Sequence, residues 1–189
     1  KGDDKPVTNL SLGDVINFCN RLSELEGLVR AYNVTGGVIT WDRSANGYRL
    51  PTSAEWEYFA RAGTTDNTYA GVNDGDDPST LVDRIAWYQG NSMGADGKRT
   101  VQPVGRKEPN PWGLYDLMGN AHEPCLEVVR TYTAESVTDP WGGFKGDSLI
   151  VRGGNYSLTA RRFYISDCSQ IRVEGVQSNA TGVRLVRNR

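Results

Sequence analysis

Histidine occurs once, methionine twice and cysteine three times in 189 residues, and each scarcity removes a class of function. A zinc site or a Ser-His-Asp triad would have to be built around His122 alone. Cys19, Cys125 and Cys168 show no CxxC spacing, so one disulfide at most can form and one thiol is left over. No apolar run approaches the roughly 20 residues that carry a helix across a bilayer, and the opening residues show no charged-then-apolar leader pattern. Neither sign of charge dominates: 21 Lys and Arg stand against 23 Asp and Glu, net −2, and they are interspersed. That excludes the basic footprint of a nucleic-acid binder. Hydrophobic residues make up 38%, enough for one domain with a real core across 1–189 and too few residues for two.

Local patterns predict the elements. Ser11 with Asp14 forms an N-terminal cap, and Leu12, Val15, Ile16, Cys19 and Leu22 follow on one helical stripe that ends near Gly27. Val34 to Trp41 reads as a hairpin turning at Gly36-Gly37. Thr52 with Glu55, after Pro51, opens a second helix that buries Trp56, Phe59 and Ala60. Between Thr64 and Thr100, Gly, Asp, Asn and Ser dominate, with an apolar island at Leu81 to Tyr88, and this predicts a long structured loop region. Short strands are expected at Glu123 to Tyr132, Ser148 to Arg152, Arg162 to Ser166 and Thr181 to Arg187. Two helices followed by loops and scattered antiparallel strands indicate a mixed α+β domain.

Three blocks add a resemblance. They are Arg49-Leu50-Pro51-Thr52-Ser53-Ala54-Glu55-Trp56-Glu57-Tyr58-Phe59-Ala60-Arg61-Ala62-Gly63, then Asn110-Pro111-Trp112-Gly113-Leu114-Tyr115-Asp116-Leu117-Met118-Gly119-Asn120-Ala121-His122-Glu123, and finally Val151-Arg152-Gly153-Gly154-Asn155-Tyr156 with Gly182-Val183-Arg184-Leu185-Val186. In content and order the chain resembles the formylglycine-generating (sulfatase-modifying factor) family. The resemblance implies a loop-rich C-type-lectin-like fold. It also implies that the family's N-terminal segment, which carries a first strand, is missing ahead of Pro6-Val7, so that a partner or larger assembly covers an open sheet edge. Relatives are often exported, which points to an extracytoplasmic location.

The same resemblance sets expectations for chemistry. Aligning Gly153-Gly154-Asn155-Tyr156 on the active enzymes puts Leu158 and Phe163 where two catalytic, copper-binding cysteines would stand, and neither offers a soft sulfur ligand. No copper is expected. Asn120 and Glu123 match positions that help bind a structural calcium, an ion suited to hard oxygen ligands, with Asp83, Asn91, Asp96 and Asp116 as weaker candidates. His122, Glu123 and Cys125 could make a mixed metal site only if neighbours on a strand faced the same way, against the usual alternation.

The segment Asn155 to Thr181 is rich in Tyr, Ser, Arg and Asn, as binding loops are. It nominates Tyr156, Arg161, Arg162, Tyr164, Asp167, Gln170 and Arg172 as a ligand-contacting face. Trp141, on the turn-like Asp139-Pro140-Trp141-Gly142-Gly143, joins them. Trp41, Trp56, Trp87, Tyr88, Trp112 and Tyr115 are expected in the core. The reading is a non-catalytic module that binds a protein or other ligand. Its alternatives are an enzyme of the family with other chemistry and a retroelement-diversified lectin-fold display protein.

Overall fold

The computed structural model describes residues 4–71, 78–127, 135–141, 143 and 147–188. The expected strand through 128–132 and the Gly142 position of the turn beside Trp141 lie outside them.

Both capped helices form where their sequence signals stand. Helix α1 spans Leu12–Leu25. The Asp14 N–H donates to Ser11 Oγ at 3.1 Å, while the Asp14 carboxylate accepts from the Ser11 N–H at 2.9 Å. Two of the four N–H groups a helix start leaves unpaired are thereby served. Strands β1 (Tyr32–Thr35) and β2 (Val38–Trp41) form the hairpin, in register from Tyr32 opposite Trp41 to Thr35 opposite Val38. Gly36 and Gly37 both have positive φ, +57° and +81°, as a two-residue turn matched to strand twist requires. Strand β3 (Tyr48–Arg49) leads into α2 (Ser53–Arg61), which Thr52 and Glu55 cap reciprocally.

A third helix, α3 (Pro78–Ile85), occupies the start of the apolar island that the sequence placed in a loop region. Val82 and Ile85 are buried, so tertiary packing supplies what a helix this short cannot gain in isolation. It runs into β4 (Ala86–Trp87), which pairs in parallel with β5 (Met118–Gly119). Strands β6 (Glu123–Cys125), β7 (Ser148–Arg152) and β8 (Ser169–Arg172) make an antiparallel sheet with β7 central. Strand β9 (Val186–Arg187) closes back on β3. The expected strand at Arg162 to Ser166 is instead a 3-10 turn, Ala160–Arg162, followed by turns. Of Thr181 to Arg187 only the last two residues named for β9 are extended in a sheet, with Thr181 in a lone bridge to His122.

Alternation along β7 places a core on each side of its sheet. Ile150 packs with Trp56, Ala60, Val82, Ile85, Leu117, Met118, Cys125, Phe163 and Ile165, between the sheet and α2 and α3. Leu149 faces the other way, into Leu12, Val15, Ile16, Cys19, Tyr32, Leu50 and Leu126 beneath α1. Each Leu or Ile fully buried here contributes about 1.5–3 kcal/mol over leaving it exposed. Trp56 is fully buried, but two aromatics expected in the core are not: Trp112 is 50% and Tyr115 43% exposed. Only the 111–116 part of their landmark runs near the surface, where Trp112 meets exposed Tyr58 edge-on at 5.2 Å.

Candidate functional site

Arg152 at the end of β7 determines where the C-terminal segment lies. Its side chain is buried, and Nη1 donates to the carbonyls of Ile165, Ser166 and Asp167 at 3.0, 3.1 and 3.2 Å. Nε donates to Ser53 Oγ at 2.8 Å and Nη2 to Glu57 at 3.1 Å. One guanidinium, whose five N–H donors leave in fixed directions, therefore ties the 165–167 loop to the first turns of α2. Gly153 and Gly154 follow with φ of +81° and +72°. A Cβ on Gly154 would stand 2.7 Å from the Phe163 ring and 3.2 Å from a Leu158 methyl, so those two side chains close on one point.

One small cavity lies at that point, and two larger ones follow from it along α2. A cavity of about 10 Å³, room for one water at most, is lined by His122, Leu158, Arg162, Tyr164, Asp167 and Cys168. Cys168 also lines the next, of about 470 Å³, with Glu57, Arg61, Arg152 and Ser166. Ala54 and Tyr58 are shared between that cavity and a third of about 280 Å³ against Trp41, Arg43, Glu55 and Asp139. The walls shared by the two larger cavities make one trough along α2, from Ala54 to Arg61. Its charges are largely paired: Glu57 with Arg61 and Arg152, Glu55 with Arg49, and Arg162 with Asp167 at 3.7 Å. Tyr58, 69% exposed, is its most open aromatic.

Of the residues nominated from sequence, Arg162, Tyr164 and Asp167 meet at the small cavity, which touches the trough through Cys168. Tyr156 is half-buried and uses its carbonyl to accept from Ser92 Oγ at 2.8 Å. Arg161 is exposed without lining the trough, and Gln170 and Arg172 lie on the outer face of β8, Arg172 within 3.5 Å of Asp147. Trp141 does not stand free on a tip. It packs edge-on against Trp41 at 5.1 Å and donates from Nε1 to the Leu126 carbonyl at 3.0 Å. Sequence reasoning passed over Glu57, Tyr58 and Arg61. The signal was the polar side of α2, opposite buried Trp56 and Ala60.

The two calcium candidates are engaged elsewhere. Asn120 accepts from the Gln102 N–H at 2.9 Å and donates to the Gln102 carbonyl at 3.1 Å. Glu123 accepts from Trp56 Nε1 at 2.6 Å and from Arg184 Nε and Nη2 at 2.7 Å each. The Arg184 guanidinium thus already pairs with the Glu123 carboxylate, while Asp116, the weaker candidate, lines the same cavity as Glu123 and Asn120 with its Oδ1 buried and without a hydrogen-bond partner. His122 faces the small cavity, while Glu123 turns to Trp56 and Arg184 and Cys125 to the core. Among the described residues no three His, Cys, Asp or Glu side chains are grouped to hold a metal. Burial lowers the His122 pKa, opposed in part by a hydrogen bond at the Arg152 backbone and by Asp167. Burial also pushes the Cys125 thiol well above its ordinary value and the Cys19 thiol to about 12, which makes both poor nucleophiles.

The sequence and the fold have counterparts. A model of the sulfatase-modifying factor enzyme 1-like domain matches residues 1–189. The chain is 32% identical over 218 aligned positions to the protein named chaperone protein LppX of Paenibacillus barcinonensis, covering all of this chain and 72% of that one. It is 37% identical to the formylglycine-generating enzyme of Streptomyces coelicolor across 70% of this chain, but spans only 42% of that enzyme's length. Among solved structures, Treponema denticola variable protein 1 superposes with a TM-score of 0.81 at 29% identity, over 96% of this chain and 70% of that one.

Proposed function

The chain belongs to the sulfatase-modifying factor enzyme 1-like family, and from that premise we propose that it is a non-catalytic binding module which holds a polypeptide in the trough over α2. The observation that carries this is the pair Leu158 and Phe163 at Gly154. On the reading taken from the family resemblance they stand where active enzymes carry copper-binding cysteines, and they supply hydrocarbon where Cu(I) needs soft sulfur. Phe163 is instead part of the core, 2% exposed. Cys168 is one thiol, and Cys125 is sealed in the core. What remains is a trough with paired charges, an exposed tyrosine and several arginines, the side chains that most often anchor protein contacts. The likeness, across all of this chain and 72% of the relative, to a protein named a chaperone supports polypeptide as the ligand class.

Two measurements test it. Purified chain incubated with Cu(I), O₂ and a sulfatase-type cysteine peptide is expected to leave the cysteine unchanged by mass spectrometry. Formylglycine in the product defeats the non-catalytic reading. Reduced, carboxymethylated α-lactalbumin, an unfolded client, is expected to bind, with Tyr58→Ala and Arg162→Ala each weakening binding by about 1–2 kcal/mol. Wild-type affinity in both variants places the ligand elsewhere. A second reading, a ligand-display protein with a diversified face at 155–181, is supported by the likeness to a protein named variable. A template repeat and reverse transcriptase beside the gene would decide for it.

A further inference from the structure

The cavity of about 280 Å³ at one end of the trough is lined by a cation with no carboxylate of its own. Arg43 stands in the corner between two indoles that meet at 83°, its guanidinium carbon 5.4 Å from the centre of the Trp41 ring and 5.9 Å from that of Trp141. Trp141 is itself tied through Nε1 to the Leu126 carbonyl. Attraction to both rings restrains a side chain that solvent would otherwise leave mobile. Its donors are almost unused: Nη2 reaches the Asp139 carbonyl at 3.5 Å, the outer limit of a hydrogen bond, and among the described residues no carboxylate pairs with it. The other acids of the trough are committed. Glu55 is held by buried Arg49 through two contacts of 2.7 Å, and Glu57 serves both Arg61 and Arg152. Only the Asp139 carboxylate is left to set against Arg43 and the guanidinium that has to share Glu57. Cations are therefore in surplus along the trough, in a chain whose net charge is −2.

We propose that the trough selects polypeptide segments that carry an aspartate or glutamate, and that Arg43 seats this acid while a neighbouring client side chain lies against Tyr58. The inference rests on the trough reading and names its ligand chemistry. A planar fork of N–H donors matches a carboxylate, and a fork already restrained by two rings loses less freedom on binding than a free one. Tyr58, 69% exposed, stands on the wall that this cavity shares with the larger one, which puts an aromatic surface beside the charge. Asp139 lines the same cavity and opposes the incoming acid, so it moderates the affinity.

The probe is a fluorescent octapeptide with one glutamate among leucines and valines, compared with a twin carrying glutamine in its place. Fluorescence anisotropy is expected to show the glutamate peptide binding about tenfold more tightly than its twin, with the gap narrowing as salt rises, because Arg43 is exposed to screening. Arg43→Met, which keeps a stem beside the two rings and removes the fork, should erase the gap by weakening the glutamate peptide to the level of its twin. Asp139→Asn should widen it. Tyr58→Ala should weaken both peptides alike. Equal binding of the two peptides by the unmodified chain, still weakened by Tyr58→Ala, keeps the trough and overturns the acid preference. A preference that survives Arg43→Met, or that Asp139→Asn leaves unchanged or narrows, overturns the assignment of the acid to Arg43. If neither peptide binds, or Tyr58→Ala leaves both unchanged, the trough reading fails and this inference with it.

Discussion

Leu158 and Phe163 converge on Gly154, with the Phe163 ring close enough that a methyl group there would lie 2.7 Å from it. Gly154 also sits at φ +72°, where a Cβ is strained. Gly154→Ala is therefore expected to cost about 1–3 kcal/mol, the usual range for overpacking, read as a fall in the urea midpoint. A neutral result would mean that the two side chains swing apart and that the small cavity opens.

Arg152 and Ser53, 99 positions apart in sequence, are joined at 2.8 Å. Arg152→Met keeps bulk but strips the donors from three carbonyls and leaves Glu57 only Arg61. The expected loss is about 3 kcal/mol, as for a broken buried ion pair. Hydrogen exchange should speed at 165–168 ahead of the rest of the described chain. Uniform acceleration would show that Arg152 does not anchor that loop in particular.

Thiol chemistry separates the three cysteines. Cys19 and Cys125 are buried and their thiols are shifted upward, whereas Cys168 is half-buried at the junction of two cavities. A disulfide reagent such as DTNB should titrate one thiol per native chain and three in denaturant. Cys168→Ser should abolish the native reaction. Two fast native thiols would contradict the core placement of Cys125.

Acid stability should carry a mark of Glu55. Burial alone would raise its carboxyl, but hydrogen bonds from Arg49 and Thr52 outweigh burial and hold it below its ordinary value of 4.5. With the folded pKa lower than the unfolded one, the contribution is whole above 4.5 and drains as pH falls from there through the folded value. Urea midpoints of wild type and Glu55→Gln, followed from pH 6 to 3, should draw together as pH drops below about 4.5. Curves that stay parallel would mean that the Arg49 contact does not distinguish the two states.

Legibility differed by element. The two capped helices and the hairpin were readable because Ser11 with Asp14, Thr52 with Glu55, and Gly36-Gly37 act within three or four positions. Helix α3 was not, because its eight residues hold together by burying Val82 and Ile85 against distant partners. Arg162 to Ser166 looked like a strand for its alternating Phe163 and Ile165, yet both are pulled into the core from turns. Trp112 and Tyr115 were placed inside for their size, and only the surface course of their loop exposes them.

Order along the chain and local chemistry determined the family scaffold, the caps, and the hydrocarbon pair at Leu158 and Phe163. Tertiary structure decided the rest: that Arg162, Tyr164 and Asp167 meet at one small cavity beside Cys168, that Trp141 is an anchor, and that Glu123 belongs to Arg184. The reason is range. A cap or a turn is a contest among neighbours, whereas a carboxylate's partner or an aromatic's exposure depends on which distant segments folding brings beside it.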